Sequence, residues 1–253
     1  RRGNHARTRV DLEGTRMNAA PDSTTPMAAP GPARIAVLAS GGGSNLQTLL
    51  DYFGTAARHG GAGAAVGSVV WVASNRADAG ALARARDAGV PTWVVQQVQD
   101  GAALVEQLTE ARADLLVLAG YLKLVPAEVV RAFRGRLLNV HPALLPAFGG
   151  EGMYGSRVHD AVVAQGARVS GVTVHFVDEH YDRGAIIAQW PVPVYATDTG
   201  TTLAARVLRA EHRLLPRAVA AVASGAVRLD PHGRVVGAVD LPELPELPEL
   251  NVR

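Results

Sequence analysis

Residues 34–53 read RIAVLASGGGSNLQTLLDYF, an apolar run, three consecutive glycines, then leucines at helical spacing. A strand passed through a glycine turn into a helix is the opening unit of a wound α/β layer, and the chain continues it. The apolar runs SVVWVAS (68–74), DLLVLAG (114–120) and RLLNVH (136–141) alternate with helix-like AGALARARDAG (79–89) and PAEVVRAFRG (126–135). This predicts a Rossmann-like α/β fold, a mostly parallel twisted sheet with helices on both faces. After SRVHDAVVAQG (156–166), read as a helix, the pattern changes. RVSGVTVHFV (168–177) and AIIAQWPVPV (185–194) are β-rich and flank a loop, DEHYDRG (178–184), so an antiparallel strand is expected in the second half. A long helix over 201–225, with Pro216 expected to kink it, closes the domain.

The pattern divides the chain into four segments: a disordered N-terminal arm at 1–32, one folded domain at 33–225, a terminal hairpin at 226–240, and a low-complexity tail at 241–253. The arm mixes charge with Gly, Pro, Ser and Thr, and Met17 or Met27 is a candidate translation start. The tail repeats Leu-Pro-Glu, and its prolines block helix and sheet alike. With 48% hydrophobic residues in 253 the chain can bury a sizeable core. It has no run of eighteen apolar residues and no apolar block near its start, so a cytoplasmic protein without membrane attachment is expected. Cysteine is absent, which removes disulfides, thiolate metal sites and cysteine nucleophiles. A net charge of +2, with much of the excess in the first residues, gives no nucleic-acid-sized basic face.

The glycine turn suits an anion, because free N–H groups at a helix start face it. The dinucleotide fingerprint fails: counting from Gly41 and Gly43, the third glycine falls on Leu46, and no acidic residue ends the next strand. The triphosphate pattern fails too, for want of a lysine after the glycines. A monophosphate cradle built on Gly42, Gly43, Ser44 and Asn45 remains, beside the plainer reading of a tight turn with Ser44 or Asn45 as N-cap.

Asn139 and His141 stand two apart in RLLNVHP, so in an extended segment both project from one side at the carboxyl end of a strand, where open parallel sheets bind ligands. Pro142 stops the strand there. An amide N–H and a protonated imidazole can hold the oxyanion of a tetrahedral intermediate. An orienting acid must come from elsewhere, and Asp178, Glu179 and Asp182 lie in one loop. A satisfied histidine and a turn aspartate are the alternative reading of the same residues. His175 alternates with Val174 and Phe176 and is read as packing. The spacing of His141, His159, His175 and His180 matches no metal motif, so no metal is expected.

Together, VLASGGGSNLQTLLD, SNRADAGALARARDAG, LAGYLKLVP, GRLLNVHPALLPAFGG, GVTVHFVDEHYDRGAIIAQ and RAEHRLLP closely resemble the phosphoribosylglycinamide formyltransferases of the formyl-folate transferase superfamily, over about residues 33–224. The N-x-H-P-x-L-L-P element is shared across the superfamily, whereas the glycine-Ser-Asn loop and the Glu-His of the last helix narrow it. The resemblance implies transfer of formyl from 10-formyltetrahydrofolate to the amine of glycinamide ribonucleotide in purine synthesis. It implies Asn139, His141 and Asp182 as the catalytic trio, with Asp182 favouring the imidazolium form of His141. Gly42, Gly43, Ser44 and Asn45 would hold the 5′-phosphate, and Glu211 the ribose or glycinamide groups. Tyr121, Leu122, Lys123, Leu124 and Val125, with Asn139 and the loop Asp178, Glu179, His180, Tyr181 and Asp182, would form the folate pocket. The partners would then be small molecules, with no nucleic acid and no membrane, and a homodimer is compatible with the resemblance. The first half of the 33–225 domain would bind nucleotide phosphate and the second half folate.

Two positions depart from the relatives' pattern. Residues 94–114 offer no equivalent of an arginine near the folate tail, and Glu151 stands in GGEGMYG where a lysine is expected. The rival readings are a formyltetrahydrofolate hydrolase, a methionyl-tRNA formyltransferase and a non-catalytic nucleotide-binding module. The first two are expected to need a further domain, before residue 33 or after residue 225.

Overall fold

The computed structural model describes residues 31–55 and 62–241; all but the last two residues of the N-terminal arm and all but the first residue of the tail lie outside them. A seven-stranded sheet runs in the order β3-β2-β1-β4-β5-β6-β7. Its strands are β1 (Ala33–Leu38), β2 (Gly67–Ser74), β3 (Thr92–Val94), β4 (Leu115–Leu118), β5 (Leu137–His141), β6 (Val169–Phe176) and β7 (Ile186–Pro193). Strands β1 to β5 are mutually parallel, and β6 pairs antiparallel with both β5 and β7. The Rossmann-like expectation holds, including the reversal in the second half.

Period-two alternation divides the sheet between two layers. Ile35, Val37, Leu115 and Val117 face the larger core, which is covered by helices α1 (Ser44–Phe53), α2 (Gly80–Asp87), α5 (Ser156–Ala164) and α6 (Gly200–Ala223). Ala36, Leu38, Leu116 and Leu137 face the smaller one under α3 (Gly101–Glu110) and α4 (Ala127–Ala132). Helix α6 opens with a capping box between Thr199 and Thr202 and continues through the buried Pro216. A short hairpin, β8 (Arg228–Leu229) with β9 (Val235–Val236), follows it. No helix among the described residues is long and apolar enough to cross a membrane.

Strand β3 and helix α3 are two elements that the β-α pattern of the sequence does not include. A three-residue strand is too short to show a period. Helix α3 did carry its signals: the Asp100 side chain accepts from Ala103 N at 2.9 Å, and Leu104 and Leu108 are buried one turn apart.

The return from β6 to β7 depends on Gly184. A Cβ added there would lie 1.7 Å from the Phe176 carbonyl oxygen, so only glycine fits as the chain turns back to pair Phe176 N with Ala185 O. Gly184→Ala is expected to lower unfolding free energy by about 1–3 kcal/mol, the scale of overpacking. A urea titration at constant m-value checks this.

Candidate active site

Ligand clefts of wound sheets open where strands on either side of a switch point send their connections apart. Here that point lies between β1 and β4. A cleft of about 470 Å³ opens there, walled by Asn45 after β1, by 120–125 after β4, and by Asn139 and His141 on β5. Asn139 and His141 share a face, since Leu138 and Val140 point into the larger core. The antiparallel register sets Asn139 opposite His175 and His141 opposite Thr173, so these four side chains leave the same side of the sheet. Thr173 pins the segment after His141: its hydroxyl donates to Ala143 O (2.7 Å) and accepts from Leu145 N (3.0 Å).

The β6–β7 loop brings Asp182 back to this pair across 43 residues, with its backbone in the left-handed region (φ 55°). Asp182 Oδ2 accepts from Gly150 N at 2.9 Å and lies 3.5 Å from His141 Nδ1. His141 Nε2 donates to the Phe148 carbonyl at 2.8 Å. Thus Asn139, His141 and Asp182 meet at one place.

His175 belongs there too, against the packing role read from the sequence. Its Nδ1 donates to Phe176 O (2.7 Å), which leaves Nε2 to accept from Asn139 Nδ2 at 3.1 Å. The amide's second hydrogen is directed toward Asp182 Oδ1 at 3.4 Å, a weaker contact. The carboxamide N–H groups expected to face a ligand are therefore held inside the site. Alternation in HFV gave no sign of this, because the contact is made by strand register.

Charge in this cluster is balanced by burial. Burial pulls the His141 pKa below its ordinary value, outweighing the upward pull of Asp182 and the Phe148 carbonyl. The sequence reading expected Asp182 to favour the imidazolium, but at 3% exposure the desolvation of the cation is the larger effect. For Asp182 the balance goes the other way. Burial alone would raise it, yet the neighbouring His175 and His141 rings and the Gly150 N–H together bring it below the usual carboxylate value.

The glycine loop is built differently from the N-cap alternative. Gly43 itself caps α1 in the left-handed region (φ 77°) with no side-chain hydrogen bond, and Ser44 is the first helical residue. A Cβ on Gly43 would come within 2.6 Å of Ala81 Cα, and Arg84 Nε donates to Gly42 O at 2.8 Å, so α2 braces the turn. Gly42, Gly43 and Ser44 do not wall the cleft, whereas Asn45 and Glu211 do. Asn45 Nδ2 donates to Glu211 Oε2 at 2.5 Å, leaving Asn45 Oδ1 without a partner. Burial raises the Glu211 pKa, with the Asn45 hydrogen bond opposing it.

Tyr121, Leu122, Lys123, Leu124 and Val125 all wall the cleft, as do Asp178, His180, Tyr181 and Asp182. Ser40 Oγ accepts from Leu122 N at 3.0 Å and donates to Asn75 Oδ1 at 2.6 Å, tying this segment to the end of β1. Burial pushes the Tyr121 phenol up to about 12. Glu179 is not among the walls; its exposed carboxylate lies 3.8 Å from Arg131 on α4. Gly150 to Gly155, Arg157 and His159 also wall the cleft, and none of them is among the expected site residues. No group of three or more His, Asp or Glu suited to a metal exists among the described residues.

Residues 33–219 match the model of the formyl transferase family. The chain belongs to that family. It is 45% identical over 195 residues to the chloroplastic phosphoribosylglycinamide formyltransferase of Vigna unguiculata, spanning 75% of this chain and 60% of that one. The Arabidopsis thaliana protein of the same name is 44% identical over 202 residues, 77% of this chain and 67% of that one. Among solved structures, glycinamide ribonucleotide transformylase 1 from Symbiobacterium toebii superposes with a TM-score of 0.72 at 40% identity, over 83% of this chain and 95% of that one. The chain thus spans about three-fifths of the Vigna relative's length and nearly the whole of the bacterial one.

The lowered pKa of His141, shared by His159, has a signed consequence for stability. Folded protein takes up these protons less readily than unfolded chain, so their contribution is complete above about pH 6.5 and declines as pH falls through the folded values. The urea midpoint is expected to drop between about pH 7 and pH 5, with a shallower drop in His141→Gln; equal slopes would contradict it.

Proposed function

We propose that this formyl transferase moves the formyl group of 10-formyltetrahydrofolate to the amine of glycinamide ribonucleotide, a step of purine synthesis, in the cytoplasm. The observation that carries the reading is the convergence of Asn139, His141 and Asp182 in one cleft, each with a defined partner. The names of the relatives supply the acceptor and the reaction.

The walls fit a folate. Leu118, Leu122, Leu124, Val125 and Val177 give apolar surface, and 121–125 with 178–182 add backbone groups for a heterocycle edge. The folate supplies an activated formyl carbon. Asn45 leads from the cleft to the glycine turn beside it, where Gly42, Gly43, Ser44 and Asn45 offer the N–H groups of a helix start that no side chain caps, which suits a 5′-phosphate. Glu211 takes ribose or glycinamide donors, since only one of its oxygens is engaged by Asn45.

Asn139 gives up its 3.4 Å contact to Asp182 more easily than its 3.1 Å bond to His175, so one N–H can turn to the formyl oxygen while the amide stays anchored. As the acceptor amine bonds to the formyl carbon, that oxygen becomes an oxyanion. His141, largely neutral before reaction, takes a proton through Asp182 as the amine acquires positive charge. The positive charge on its ring and the Asn139 N–H then stabilise the oxyanion together. Return of a proton to the folate nitrogen lets the carbon–nitrogen bond to the folate break, giving tetrahydrofolate and the N-formyl product. Asp182, already ionised, holds the imidazolium at 3.5 Å meanwhile.

Tetrahydrofolate release should require glycinamide ribonucleotide; release without it would replace this reading with a formyltetrahydrofolate hydrolase. His141→Ala and Asp182→Ala are each expected to lower kcat by about 10²–10⁴ while ribonucleotide affinity is kept. Steady-state turnover alongside calorimetric binding measures both, and unchanged kcat in either variant would refute these roles.

A further inference from the structure

The reaction as drawn leaves one buried wall of the cleft without a task. His159, on α5, is 5% exposed and lines the same cleft as Asn45, His141 and Glu211. Its Nδ1 is sealed from solvent and has no hydrogen-bond partner. A buried ring nitrogen left unpaired is uncommon in folded proteins and costs stability, so the ring is held there for its other nitrogen. With Nδ1 sealed, Nε2 is the one ring nitrogen left to meet a ligand. An orphaned lone pair is better tolerated than an orphaned N–H, which puts the proton on Nε2 and makes the ring a donor.

We propose that His159 is a substrate-binding residue whose Nε2–H donates to the amide carbonyl of the acceptor, holding the neighbouring amine in line with the formyl carbon. This rests on the reaction proposed above. The position follows from its neighbours. The His141 and His159 rings are close enough for their charges to interact, so His159 sits beside the reacting centre. Asn45 and Glu211, bonded to each other, serve the sugar-phosphate part of the ligand. Between a reacting amine and a ribose, the acceptor offers one strong hydrogen-bond acceptor, its amide oxygen. Burial keeps His159 neutral, opposed only by Asp160, so it adds no positive charge beside the imidazolium that forms on His141.

The test compares His159→Phe and His159→Gln in binding and turnover with glycinamide ribonucleotide and the formyl folate. The phenylalanine variant is expected to weaken ribonucleotide binding about ten-fold, in Kd and in KM, with the folate KM unchanged. Its Tm should stay level or rise, because an unpaired buried nitrogen has become carbon. The glutamine variant, which keeps an N–H donor, should recover part of the affinity. A histidine serving only the packing of α5 would give the reverse: lower Tm in both variants and equal loss of both ligands, and that outcome overturns the assignment, as does unchanged ribonucleotide affinity. Should His159→Phe not fold, His159→Asn and His159→Gln carry the same comparison. Wild-type protein that bound the ribonucleotide without turning it over would remove the reaction and leave the binding assignment to be judged by the same split; wild-type protein that did not bind it would overturn both.

Discussion

The register of β6 on β5 is the constraint from which the site is made. Pairing Asn139 with His175 and His141 with Thr173 puts four polar side chains on one face of an otherwise apolar sheet. A slip of β6 by one residue would send Thr173 and His175 into the larger core and bring Val172 and Val174 out. Burial of Val172, Val174 and Phe176 on the opposite face therefore holds the register, and hydrophobic packing on one side of β6 positions chemistry on the other.

Within that frame the electrostatics are set by competition between burial and hydrogen bonding. His141 and Asp182 are both mostly enclosed, and burial opposes charge on each. Asp182 accepts the Gly150 N–H and lies beside two imidazoles that lower its pKa, whereas His141 has one carboxylate and one carbonyl to set against its desolvation. The result is an anion beside a neutral base that a single arriving proton converts to an ion pair. A site of this kind costs little to keep assembled between turnovers, and its strongest electrostatic contacts appear only as charge develops.

The helical layer supplies the other wall by a different principle. Asn45 from α1, His159 from α5 and Glu211 from α6 are all buried, yet Asn45 Oδ1 and His159 Nδ1 have no partners. Apolar side chains at these positions would pack the same helices with no polar group left unpaired. Polar side chains kept at this cost line the cleft on its helical side, where they can meet a ligand.

Much of this was legible in the sequence because the signals are local. The β-α alternation, the glycine turn, the proline that stops β5 after His141, and the side-by-side placement of Asn139 and His141 all follow from periods of two and 3.6 along a short stretch. The motif around them also carried the family. What the sequence left open involves partners far apart in the chain. Asp182 was preferred over Asp178 and Glu179 for its place before Arg183-Gly184 and for the resemblance, but only the left-handed turn at Asp182 shows its carboxylate aimed at His141, with Glu179 beside Arg131. His175 looked like packing because only the register shows its partner. The direction of the His141 pKa could not be read from an adjacent acid, because desolvation depends on how much of the fold closes over the ring. The sequence alone thus determined the layers and the residue types at the sheet's carboxyl edge; the tertiary structure decided which of them face one another, how deeply, and so in which charge state.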